Sequence, residues 1–204
     1  MPKLLLIVEG DGDVVAIPTL ARRVLGEFYG IYDWNFETHR RKDMAHLVAN
    51  DGANFKRYLQ AALHEEMPIL WTIDCDDGCA VRNGCILSSY AQQIGVFQPM
   101  AFSFWVREYE AIFLYDPDTV KSKLGIQPQE LAGDLSQRRG VKELISSLMP
   151  RGKKYKERID QPALTANINL ELPKANYRSF QHFEKALHWL TQQRVPALYP
   201  LRGC

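Results

Sequence analysis

The stretch Lys3-Leu4-Leu5-Leu6-Ile7-Val8, followed at once by Glu9-Gly10-Asp11-Gly12-Asp13, decides how this chain is read. An uninterrupted apolar run of strand length is the pattern of a strand buried on both faces, as at the centre of a parallel sheet. The acidic, glycine-spaced cluster behind it is made of turn formers and stops the strand. Residues 14–28 then carry apolar side chains at helical spacing with Arg22 and Arg23 outside them. A strand, loop, helix unit is expected, with Asp13 as helix cap and Pro18 either tolerated near the start or marking a later one.

Working outward, a second strand is expected within residues 32–39, followed by a helix over 54–65 that puts Phe55, Tyr58, Leu59, Ala62 and Leu63 on one face. Pro68-Ile-Leu-Trp-Thr-Ile73 reads as a third strand and again ends in acids, Asp74-Cys75-Asp76-Asp77-Gly78. Residues 79–93 read as partly helical. Met100 to Val106 makes a fourth strand that runs into Arg107-Glu108-Tyr109-Glu110. Alternating strands and helices predict an α/β fold with a mostly parallel four-stranded sheet flanked by helices over residues 1–115. From residue 116 to 204 the pattern changes to helical stretches near 127–131, 138–148, 163–170 and 179–193 with no convincing strand. This part is expected to be a helical C-terminal extension packed on the core.

Composition narrows the function. The 204 residues are 46% hydrophobic and 24% charged, enough apolar material for a core and no signature of disorder. Lys and Arg number 25 against 24 Asp and Glu, so no global field draws the chain to polyphosphate or anionic lipid, and affinity for nucleic acid has to be local. No apolar run has bilayer-spanning length and the N-terminus reaches an acid too soon for a signal peptide, so a cytoplasmic protein without membrane contact is expected. Four cysteines are few for a disulfide scaffold and are expected to be reduced. Cys75-x3-Cys79-x5-Cys85 resembles part of a zinc cluster but lacks paired CxxC spacing and an evident fourth ligand. The five histidines show no HxH or HxxxH spacing, and neither GxxxxGK[ST] nor GxGxxG occurs, so the chain has no standard phosphate loop of its own for a nucleotide.

The chemistry lies in the acids. Three apolar strands are each followed directly by carboxylates: Glu9, Asp11 and Asp13; Asp74, Asp76 and Asp77; Glu108 and Glu110. In a parallel sheet all three groups emerge at the carboxyl edge, where α/β folds place their sites. Taken singly each has a bland explanation, since Asp and Gly make turns, Asp13 serves as an N-cap and Glu108 favours the first turn of a helix. A turn has no need of Glu at position 9, however. Converging carboxylates repel, and such clusters are held by hard cations, Mg²⁺ or Mn²⁺ above all.

Val8-Glu9-Gly10 behind the first strand and Ile73-Asp74-Cys75-Asp76 behind the third resemble the TOPRIM domain of topoisomerases, primases and the overcoming-lysogenization-defect nucleases. That resemblance covers roughly residues 1–115. Val8-Glu9-Gly10-x-x-Asp13 and Arg107-Glu108-Tyr109-Glu110-Ala111, with the later 156–168 segment and Ser179-Phe180, look like small stand-alone bacterial TOPRIM-like proteins, often encoded beside an ATPase. Ile112 departs from the Trp that related sequences often carry. The resemblance implies that Glu9, Asp74 and Asp76 bind Mg²⁺, that Asp13 is the extra acid of the nuclease branch, and that Glu108 or Glu110 supplies a further one. It also implies a nuclease of a prokaryotic defence or repair system, working with an ATPase partner.

For phosphodiester hydrolysis, Glu9, Asp74 and Asp76 are then the catalytic acids, with Asp13 and Glu108 or Glu110 as candidates for a second ion. Charge on the leaving oxygen invites a cation, and the densest basic segment is Arg151-Gly-Lys-Lys-Tyr-Lys-Glu-Arg158. Lys156 is the catalytic candidate there, and Lys153, Lys154 and Lys156, with Arg40, Arg41 and Lys42 as a second patch, are candidates for phosphate contact. A basic run is as often a solvated loop, and Tyr155 as often packs as stacks on a base. Two rival functions are a non-catalytic metal-binding regulatory subunit and a metal-dependent phosphoryl or glycosyl enzyme with a small substrate.

Overall fold

A computed structural model describes residues 1–126 and 138–201. Four strands, β1 (Lys3–Val8), β2 (Asn35–Arg40), β3 (Ile69–Asp74) and β4 (Met100–Trp105), form one sheet in the order β2-β1-β3-β4, and every pairing is parallel. Leu5 stands level with Glu37 on one side and Ile69 on the other. The expected mostly parallel sheet is therefore wholly parallel.

The strands connect through α1 (Asp13–Tyr29), α2 (Met44–Leu63) and α3 (Ala80–Ile94); a 3₁₀ turn (Tyr109–Tyr115), α4 (Pro117–Leu124), α5 (Val141–Leu148), α6 (Glu157–Thr165), α7 (Glu171–Asn176) and α8 (Arg178–Gln192) follow β4. The sheet divides the apolar interior into two slabs. Leu4, Leu6, Val8, Leu70, Ala101 and Trp105 face α1 and α8, meeting Ile17, Leu20, Val24, Phe180, Phe183, Leu187 and Leu190. Leu5, Ile7, Ile69, Trp71, Ile73 and Phe102 face α2 and α3, meeting Phe55, Leu59, Leu87 and Ala91. Because side chains alternate between faces, a strand covered on both sides needs an apolar residue at every position, which is why β1 shows no alternation.

Helix α8 thus forms one cover of the sheet, and each fully buried aromatic it contributes is worth roughly 1.5–3 kcal/mol of transfer free energy. Beyond it the chain returns to β4, where the Met100 N–H donates to the Ala197 carbonyl at 2.8 Å and the Tyr199 N–H to the Met100 carbonyl at 2.8 Å.

Several elements differ from expectation. Helix α1 runs through Pro18, its sixth residue, where the missing N–H forfeits the bond to the Val14 carbonyl. Helix α2 starts at Met44, capped by the Asp43 side chain on the His46 N–H, and breaks at Ala49–Gly52 before continuing over the residues read as helical. Helix α4 was not foreseen. The stretch expected over 163–170 is instead α6, which begins at Glu157, passes through Pro162 and ends at Thr165. Its start is fixed by the Asp160 side chain, which accepts from the Lys156 N–H at 2.6 Å. The helix expected over 127–131 lies outside the described residues.

Cys75 and Cys79 are free thiols, whereas Cys85 is disulfide-bonded, contrary to the expectation of reduced cysteines. A zinc set of Cys75, Cys79 and Cys85 is thereby excluded, because a disulfide sulfur is no thiolate ligand. Among the described residues no helix is long and apolar enough to cross a membrane.

Candidate active site

Strand order fixes where a site can be. The chain leaves β1 for β2 on one side and later places β3 on the other, so the connections diverge between the carboxyl ends of β1 and β3 and leave a crevice there. Glu9 follows β1 and Asp74 ends β3, one at each wall.

Next to Glu9 the chain turns sharply into α1. The Gly10 N–H donates to Asp13 Oδ2 at 2.8 Å and the Gly12 N–H to Glu157 Oε1 at 3.3 Å. Asp13 is buried and also accepts from Gln161 Nε2 at 2.6 Å. Its helix has no side-chain cap, so Asp13 holds the loop before the helix and docks α6 onto it. The glycines are needed for that approach: a Cβ on Gly12 would overlap the Gln161 amide oxygen, and one on Gly10 the Glu157 carboxylate.

On the β3 wall, Asp74 Oδ1 accepts from the Tyr109 N–H at 2.9 Å. Asp76 stands exposed just beyond, with φ 46°, bridged to Arg107, whose φ is 69°. Two facing residues in the left-handed region are uncommon for side chains of this size, and such backbone is retained where a site requires it.

Glu108 and Glu110, indistinguishable in sequence, part company. Glu108 accepts from the Val141 N–H at 2.9 Å and the Lys142 N–H at 3.4 Å, and so caps the N-terminus of α5. Glu110 is completely buried in the 3₁₀ turn, with Tyr155 donating its hydroxyl to Oε1 at 3.3 Å. Its charge partner is Lys142, whose Nζ lies 3.7 Å from Glu110 Oε1 and 3.6 Å from Glu157 Oε2.

The floor of the crevice is therefore made by Glu9, Asp13, Asp74 and Glu110. Burial pushes the Glu9 carboxyl up to about 7, helped by the charges of Asp76, Asp13 and Asp43 and partly offset by the backbone at Asp74. Burial first, then Asp13, Glu110 and Glu9, holds Asp74 well above the usual carboxylate range. Asp13 is raised by burial as well. Glu110 is pushed up to about 8 by burial against the opposing pull of Lys142. Lys142 in turn holds its proton more tightly than an ordinary lysine: burial opposes this, but Glu110, Glu157, Asp74 and Asp13 outweigh it.

At the rim the acids have counter-charges. Asp11 pairs with Arg40 Nη1 at 2.9 Å and with Arg158, which holds its carboxyl below the ordinary value. Asp77 pairs with Arg107 and with Arg139 at 2.6 Å. Among the expected basic contacts, Arg40 is at this rim and also donates to the Glu9 carbonyl at 3.1 Å. Arg41 lies over the Tyr58 ring, 4.9 Å from its centroid, and Lys42, Lys153 and Lys154 stand exposed on the loops outside.

Lys156 is exposed and engaged through its backbone at the start of α6, while the ammonium inside the crevice is that of Lys142. Sequence reading missed Lys142, Tyr155, Glu157 and Gln161. Glu157 and Gln161, four apart on one helical face, carried a faint signal; Lys142 carried none, because only the Glu108 cap on α5 aims it inward.

Glu9 Oε2 and Glu110 Oε2 are buried with no hydrogen-bond partner. Among the described residues no three His, Cys, Asp or Glu side chains are gathered into a ready-made ion cage, since most of the floor carboxylates are tied to protein donors. The donors are all hard oxygens and two of them are orphaned, a set that suits Mg²⁺ or Mn²⁺ and no soft metal. Comparison with known proteins gives no match: no family model, no curated protein and no solved structure.

Proposed function

We propose that the crevice is the active site of a Mg²⁺- or Mn²⁺-dependent nuclease that hydrolyses phosphodiesters of DNA or RNA. The observation that carries this reading is the convergence of Glu9, Asp13, Asp74 and Glu110 from three strand ends, close enough to raise one another's pKa, with two buried carboxylate oxygens left unpartnered. A chain does not gain stability from such a cluster, and perturbed acids in a crevice are a mark of function. The resemblance of Glu9-Gly10 and Asp74-Cys75-Asp76 to TOPRIM sequences adds to it.

Glu9, Asp74 and Asp76 would hold the ion. What Mg²⁺ supplies when bound is polarisation of a phosphate oxygen and a more acidic water. The protein does the rest. Burial raises the Glu110 carboxyl against the pull of Lys142, and Tyr155 donates its hydroxyl to Oε1. Arg40 and Arg158 on one side of the mouth, and Arg107 and Arg139 on the other, offer guanidinium groups to successive phosphates of a polymer. The overall charge of +1 leaves grip to these local groups.

The test is cleavage of labelled single-stranded DNA, double-stranded DNA and RNA in Mg²⁺, Mn²⁺ or EDTA, with wild type beside Glu9→Gln and Asp76→Asn. Metal-dependent cutting of a polymer that falls at least about 100-fold in both variants is expected. Cutting that survives EDTA, or equal cutting by both variants, overturns the reading.

A further inference from the structure

Where β2 passes into α2 the fold assembles a cluster that the acidic crevice does not use. Asn50, Asp51 and Gly52, in the middle of α2, have φ of 51°, 54° and 71°, three successive residues in the left-handed region. Such backbone costs stability and persists where its surroundings require it. Along an unbroken helix His46 and Tyr58 would stand about 18 Å apart, too far for their side chains to meet. The break instead brings His46 Nε2 to 3.2 Å from the Tyr58 hydroxyl, and Asn54 Nδ2 ties the two halves by donating to the His46 carbonyl at 3.1 Å. Tyr58 then carries two guanidinium groups, that of Arg41 4.9 Å from the ring centroid and that of Arg57 at 5.1 Å.

Neither cation is neutralised. Arg41 donates Nη1 to the Arg40 carbonyl at 2.7 Å and has Nη2 3.4 Å from His39 Nδ1, while its Nε is buried without a partner. Arg57 donates to Asn54 Oδ1 at 3.3 Å and to the Tyr58 hydroxyl at 3.5 Å. Among the described residues no carboxylate pairs with either, and Asp43, the acid of this loop, is turned to the His46 N–H at 2.8 Å as a helix cap. Lys42 stands exposed beside them. Like charges held on one ring repel, and a partly desolvated guanidinium without a counter-charge costs stability, so an anion supplies here what the protein does not.

We infer that Arg41 and Arg57, braced on Tyr58, bind backbone phosphates of a nucleic acid beside the crevice, with Lys42 as an outer contact, and that the polymer leaves the crevice over α2 and not over the basic loop at 151–158. This rests on the polymer-cleaving reading above and deepens it by giving the strand a path. The path is continuous, because Arg40 donates to the Glu9 carbonyl at 3.1 Å on the crevice wall and Arg41 follows it in the chain. Guanidinium forks match phosphate oxygens, and contacts to phosphate position a strand without reading its sequence.

The experiment is binding of a fluorescent single-stranded oligonucleotide and of its duplex to the full chain, read by anisotropy in EDTA over a range of salt, so that neither metal nor cleavage enters. Wild type is expected to bind. Arg41→Ala with Arg57→Ala should bind at least about tenfold more weakly, with a salt slope shallower by about 1.5 to 2, and Lys153→Ala with Lys154→Ala should change affinity less than about twofold. Tyr58→Leu, with every charge kept, should weaken binding at least about threefold and Tyr58→Phe less than about twofold, which separates a built site from loose surface charge. Should the double arginine variant fold poorly, Arg57→Glu alone, on an exposed residue, is expected to lose at least about fivefold. Equal losses in the two pairs, a larger loss in the loop pair, or tighter binding of inorganic polyphosphate per phosphate overturns the inference and leaves the nuclease reading to its own cleavage test. No binding by wild type in EDTA overturns it too. A chain that binds through Arg41 and Arg57 yet never cuts in Mg²⁺ or Mn²⁺ sinks the nuclease reading and leaves the phosphate contact standing.

Discussion

Rim and floor of the crevice are built from the same residue types only two or three positions apart, and their electrostatics are opposite. Asp11 is partly exposed and paired with two arginines, and its carboxyl is more acidic than usual. Asp13, two residues on, is buried with only amide donors, and its carboxyl is less acidic. On the other wall Asp77 is likewise paired with two arginines, Arg107 and Arg139, while burial holds the Asp74 carboxyl well above the usual carboxylate range. The difference teaches where this fold is at rest and where it is strained: neutralised acids at the rim order loops, while desolvated acids on the floor cost stability unless a cation joins them.

The largest effect that sharpens the contrast is expected at Lys142. Lys142→Met should lower stability by about 2 kcal/mol in urea unfolding, below the 3–5 typical of a wholly enclosed pair, because its side chain is 34% exposed and Glu110 can take up a proton. An unchanged unfolding midpoint would show that the floor needs no built-in cation. In the opposite direction, Glu110→Gln measured at pH 8.5 should raise stability by about 1 kcal/mol, since a buried carboxylate gives way to an amide that Tyr155 can still donate to.

Acid and base limbs separate rim from floor without mutation. Glu9 and Glu110 have folded values near 7 and 8, above their ordinary 4.5, so the folded state binds more protons between those limits. In EDTA, stability from these groups is fully present below about pH 4.5 and falls as pH rises towards 8. Asp11 is lowered from 3.8, so its contribution is present above that value and lost as pH falls below it. Urea midpoints from pH 3 to 8.5 that rise steadily between 4.5 and 8 would contradict the floor's part in this. The smallest effect is at the rim: Asp77→Asn should move the melting temperature by about a degree or less, and 0.5 M salt should erase the change.

Much of this architecture was legible because it follows from local pattern. The run Lys3–Val8 is a strand with the bounds read from it, and Met100 to Trp105 needs only its last residue trimmed. Burial on both faces erases alternation, so such strands announce themselves. Glu9 and Asp74 could be placed at one edge as soon as the sheet was read as parallel. What was not legible depended on contacts distant in sequence. Glu108 and Glu110 differ only because α5 arrives to be capped by one and α6 closes over the other. Lys142 belongs to no motif, and its role exists only through Glu110 and Glu157. Lys156 looked suitable in a basic run, yet the Asp160 cap makes it a helix start.

The central claim is that the floor acids are frustrated until a divalent ion joins them. Thermal melting of wild type and Glu9→Gln, each in EDTA and in about 10 mM Mg²⁺, enough to exceed a weak site's dissociation constant, tests it most directly. Wild type should melt higher in Mg²⁺ than in EDTA, and Glu9→Gln should melt above wild type in EDTA and gain little from Mg²⁺. Equal gains in both proteins, or none in wild type, would contradict it.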